Sequence, residues 1–211
     1  MSGAVVLVTW AGEASGAAAA AAAVACAGSS PDSAGLLVDL SGGRTPRPAL
    51  MATAASRDLE ERLAVHIPRA RGASRGQLCH LALPPDEESL EDAAGALALA
   101  RDSIGVLYLP PELLQPALLE SGIRLSAALL RADLGCDRAL TALTVRCLIE
   151  RGLRVAILKA PLAWVPSRRA LFGALPAASA GGVPPWILTR LLAEATSIDS
   201  GPSSLVLEPA A

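Results

Sequence analysis

The chain has 211 residues, of which 52% are apolar and 18% charged, and its net charge is −2. That supplies enough apolar material for one sizeable core, and the slight negative charge excludes a nucleic-acid binder driven by overall electrostatics. Nor is there an unbroken apolar run of about 18 residues to span a bilayer, and the start, MSGAVVLVTW, lacks the basic segment of a secretory leader.

Aromatic residues make up only 2% of the chain, so the core must be built from Ala, Leu and Val, with close helix–sheet contact in place of large rings. Lys159 is the only lysine beside many arginines, which together with the abundant alanine points to a GC-rich bacterial genome. Val5–Thr9 is apolar and β-rich, as a strand covered on both faces should be. Gly16–Ala27 follows as a helix, because alanine is the best helix former, with Gly28 as its stop. Gly35–Leu40, GLLVDL, is a second strand, and SGGRTPRP a loop. Arg57–Val65 is a short helix. Arg69, Arg71 and Arg75 then gather in what reads as a solvated loop, a phosphate-contact patch being the alternative.

Leu78–Leu83 is a third strand, ended by Pro84 and Pro85. PPDEESLEDAAGALALARDS places carboxylates in the first turn of a helix, where they suit its dipole, and Leu90 and Leu97 near one face. Ile104–Leu109 is a fourth strand, stopped by Pro110 and Pro111, and Ala127–Arg131 a fifth. Cys136–Arg151 is an amphipathic helix with Leu140, Leu143, Cys147 and Leu148 as its apolar stripe, closed by Gly152. Arg154–Lys159 is a sixth strand, and Ser167–Gly173 and Pro185–Thr196 are the last helices. The tail from Ser197 reads as loose, although LVLE can dock as an edge strand. The alternation implies right-handed crossovers and one α/β domain over 1–196: a mostly parallel, doubly wound sheet with helices on both faces, followed by a tail over 197–211.

Metal and nucleophile chemistry find little support. Cys26, Cys79, Cys136 and Cys147 are scattered, without a C-x-x-C, and only His66 and His80 stand near enough in type to assist a metal; the thiols read as reduced core residues of a cytoplasmic protein. Ser15 lacks the first glycine of a G-x-S-x-G elbow. The carboxylates of PDEESLED read as a solvated helix start.

The first turn carries the strongest signal. Val8-Thr9-Trp10-Ala11-Gly12-Glu13-Ala14-Ser15-Gly16-Ala17-Ala18 aligns without a gap to a loop of the form V-T-x-G-K-G-G-V-G-K-T, and LLVDLSGG, VLYLPP and ERGLRVAILKAP follow in the matching order. These stretches resemble the ParA/MinD family of P-loop ATPases, and within it the TadZ/CpaE branch of pilus-assembly proteins. The resemblance covers about Val5 to Ala195. It implies that Gly16 keeps the glycine before the helix, that Gly12 and Ala17 stand where two lysines belong, and that Ala18 replaces the magnesium-binding hydroxyl. It further implies that Asp39 matches the aspartate facing the attacking water, that Ser41 replaces the next one, that Tyr108 replaces the magnesium-side aspartate, and that Lys159 stands where an asparagine touches the base.

A P-loop aims backbone N–H groups and a lysine at phosphates, and its metal needs a hydroxyl and a carboxylate. The lysine, the hydroxyl and the carboxylate are missing together, and Glu13 adds a repelling charge, so ATP hydrolysis should be negligible. A bare helix N-terminus keeps only weak anion affinity. The sequence offers Asp39 no evident partner, which makes it a relic or a cap. Trp164 and Trp186 read as core-edge residues or as interface anchors. The alanines of the first helix permit close approach, either to a second chain or to the chain's own sheet.

The expectation is therefore a catalytically inactive ParA/MinD-like scaffold or adaptor, without cofactor, in a cytoplasmic-face machine such as a Tad-type pilus or secretion apparatus. Its partners would be proteins, either a second copy or an active ATPase paralogue, that recruit it to the inner membrane face. The alternatives are an active nucleotide-binding ATPase with an atypical loop and a DNA-associated partitioning regulator acting through Arg69, Arg71 and Arg75.

Overall fold

A computed structural model describes residues 4–11, 17–30, 32–42, 52–100, 103–119, 122–133, 138–160 and 204–207. The strands are β1 (Val5–Ala11), β2 (Gly35–Asp39), β3 (Arg71–Arg75), β4 (Leu78–Ala82), β5 (Gly105–Tyr108), β6 (Ala127–Asp133), β7 (Arg154–Ala160) and β8 (Ser204–Leu207). The helices are α1 (Ala17–Ala27), α2 (Ala54–His66), α3 (Glu88–Leu99), α4 (Leu114–Leu119, entered through a 3-10 turn at Pro111–Leu113) and α5 (Arg138–Glu150). The strands form one sheet in the order β3-β4-β2-β5-β1-β6-β7-β8. Among the described strands only the β3–β4 pairing is antiparallel.

The central strands are buried on both faces, which is why they read as continuous apolar runs rather than alternating ones. Alternation along each strand sends Val6, Val8, Leu37, Val106 and Leu129 toward α1. Their neighbours Leu7, Leu36, Val38, Leu107 and Leu130 turn to the opposite face, where α2, α3, α4 and α5 lay down Leu59, Leu63, Leu90, Leu97, Leu114 and Leu148. The fold is thus doubly wound, with α1 alone, among the described helices, on its side.

A helix that is apolar on every side belongs inside a protein, and α1 obeys. Ala20 through Ala25 are all buried by the chain itself, as is Ala17. Of the two uses open to these alanines, the structure shows packing within the fold. The approach is tight at Gly35, where an added Cβ would meet the backbone oxygen of Ala25 at 2.0 Å. At the end of α5, Gly152 takes φ +76°, and its N–H and that of Leu153 bond back to Ile149 and Leu148 at 2.8 and 3.1 Å. This is the paired capping pattern that a glycine after the last turn makes available.

Two expectations change, and one segment without an expectation acquires structure. Arg71–Arg75 is a strand rather than a loop: it closes the sheet as an antiparallel edge, and its Arg-Gly-Ala-Ser-Arg sequence carries the charge and lack of apolar alternation common on exposed edges. The segment after Pro110 forms a short helical turn and α4, which bury Leu113, Leu114 and Ala117. On α5 only Leu148 of the expected stripe is buried. Leu140 and Leu143 are exposed, and Thr144 turns inward, its hydroxyl bonded to the Leu140 carbonyl at 2.9 Å. The first three residues of LVLE do dock, within β8, which pairs in parallel with β7. The helices expected at Ser167–Gly173 and Pro185–Thr196 lie outside the described residues.

Candidate functional site

Ligands of open α/β sheets bind beyond the carboxyl ends of the strands, where neighbouring strands lead to opposite faces. In this sheet that place is β1. It leads into α1 on one face, whereas its neighbours β5 and β6 lead into α4 and α5 on the other. The topology therefore singles out the turn between β1 and α1, the same turn that carries the sequence signal.

Around that end, the α1 side of the sheet holds a row of polar and aromatic residues from five strands: His80 on β4, Asp39 on β2, Tyr108 on β5, Trp10 on β1 and Arg131 on β6. The register sets Asp39 beside Tyr108, Tyr108 beside Val8, and Trp10 beside Arg131. His80, Asp39, Tyr108 and Arg131 are buried, and Trp10 is half-buried. Trp10 and Tyr108 stack with ring centroids 5.1 Å apart at a tilt of 42°, a favourable aromatic arrangement.

Asp39 is engaged through both carboxylate oxygens. One carboxylate oxygen, Oδ1, accepts from the Ser41 backbone N–H at 2.8 Å and from the Ser41 hydroxyl at 2.6 Å. The other, Oδ2, accepts from His80 Nε2 at 3.2 Å. Burial pushes this carboxyl up, but the hydrogen bonds from His80 and Ser41 and the attraction of the His80 ring outweigh it, so the group is held below its ordinary value. The expectation that Asp39 has no partner is thus corrected. It closes a turn after β2 and ties β2 to β4. The pairing spans 41 residues of sequence and becomes visible only from the register, which sets His80 beside Leu37, two residues before Asp39.

Of the residues singled out from sequence, Ala17 and Ala18 form the first turn of α1, the former buried and the latter half-buried. Asp39 and Tyr108 are brought together as described. Gly12, Glu13, Gly16, Trp164 and Trp186 lie outside the described residues, as do Ser15 and Cys136. Cys26, Cys79 and Cys147 are free thiols; burial pushes those of Cys26 and Cys79 up to about 12.

Arg69 is drawn away from any phosphate patch: it is ion-paired with Asp92 and donates to the Glu88 carbonyl at 2.7 Å. Asp86 accepts from the Ser89 N–H at 2.9 Å and so opens α3. Among the described residues no group of three or more His, Cys, Asp and Glu is arranged to hold a metal ion, and no helix is long and apolar enough to cross a membrane. A small cleft of about 80 Å³ between Ala34, Ala55, Leu59 and Ser103 lies at the opposite, amino end of the sheet, remote from this row.

Two members of the row escaped the sequence reading. Arg131 closes an apolar strand and gives no sign that its side chain will be buried. Trp10 reads as a loop residue until β1 is seen to run on to Ala11. Comparison with known proteins finds no matching family model, curated protein or solved structure.

Proposed function

We propose that this chain is a non-catalytic α/β scaffold of the ParA/MinD kind, in which the nucleotide crevice persists as a structural joint. The observation that carries the reading is the occupation of that crevice's floor. A metal-binding aspartate would be needed beside β1, and the side chain there is Tyr108, only 1% exposed and stacked on Trp10. Both carboxylate oxygens of Asp39 already accept hydrogen bonds, Oδ1 from Ser41 and Oδ2 from His80. The first turn of α1 presents Ala17 and Ala18, which hold neither phosphate nor metal. Electrostatic stabilisation is the chief contribution a protein makes to phosphoryl transfer, and this floor has little with which to supply it.

A DNA-associated role fits less well, because Arg69 is engaged with α3. Service in a pilus or secretion machine follows from the family resemblance and is proposed on that ground. Titration calorimetry with ATP or GTP and magnesium tests the central point. The expected result is no magnesium-dependent binding up to millimolar nucleotide; micromolar, magnesium-dependent binding refutes the scaffold reading.

A further inference from the structure

We draw no further inference here: the strongest candidate, the exposed apolar face that Leu140 and Leu143 form on α5, carries none, because Arg146 beside it is paired with Glu150 of the same helix and nothing in the structure shows what covers it.

Discussion

Replacing Gly35 by alanine tests how closely α1 lies on the sheet. The new Cβ would sit 2.0 Å from the carbonyl oxygen of Ala25 and 2.8 Å from its carbonyl carbon. Comfortable carbon contacts are about 3.5–4.0 Å, so the carbonyl oxygen has to be displaced by about 1.5 Å. Neither obstructing atom is the end of a side chain, and rotation cannot clear them; the helix itself must back away. Overpacking costs about 1–3 kcal/mol, and lifting a helix buried from Ala20 to Ala25 places this case near 3 kcal/mol. At about 2–4 °C per kcal/mol for a domain of this size, the melting temperature should fall by about 6–12 °C. Two controls bracket the effect. At Gly105 the added Cβ meets the flexible end of Leu97 at 2.5 Å, and the loss should stay below about 1.5 kcal/mol. At Gly95, within α3, nothing lies within 4 Å, and alanine should stabilise by about 0.5–1 kcal/mol. Circular-dichroism melts of the three variants decide the matter. Gly35→Ala melting within about 2 °C of the parent, or Gly105→Ala proving the more damaging, would refute the packing argument.

Two further outcomes concern pH. Folding lowers the pKa of Asp39, so the unfolded chain takes up that proton first, and the carboxylate's contribution is full above about pH 4 and fades below it. Asp39→Asn should cost about 1–3 kcal/mol at neutral pH and flatten the fall in urea stability between about pH 5 and 3; parallel acid profiles for the two proteins would show that the carboxylate is not so held. Burial raises the Cys79 thiol to about 12, whereas an unfolded thiol titrates near about 8.5. Its contribution is therefore complete below about pH 8.5 and is lost as pH rises, at about 1.4 kcal/mol per pH unit. Cys79→Val should spare about 2 kcal/mol of the decline between pH 8 and 10, with Cys26, also raised to about 12, leaving a residual slope; identical alkaline profiles would contradict the burial of Cys79.

The central strands were legible because both of their faces are covered, so Val5–Ala11, Gly35–Asp39 and Gly105–Tyr108 announce themselves as apolar runs. Edge strand β3 did not, since Arg71-Gly72-Ala73-Ser74-Arg75 owes its conformation to pairing with β4 rather than to its own side chains. The stripe on α5 was misjudged because Leu140, Leu143, Cys147 and Leu148 are apolar across an arc wider than the buried one. Only packing decides that Thr144 and Leu148 face inward. The site was half legible. Asp39 and Tyr108 could be placed by their strand ends, but the bond between Asp39 and His80 joins residues far apart in sequence and depends on β2 and β4 becoming neighbours.

The position of β1 has a bearing on how the chain is made. Both strands that flank it come late: Val5 pairs with Gly105 and Val6 with Ala127. During synthesis β1 must wait for about a hundred further residues before either edge can be satisfied, a delay that slows topologies rich in distant pairings and leaves nascent strands prone to stick. Until then an apolar stretch such as VVLVTWA leaves the ribosome with both of its edges open.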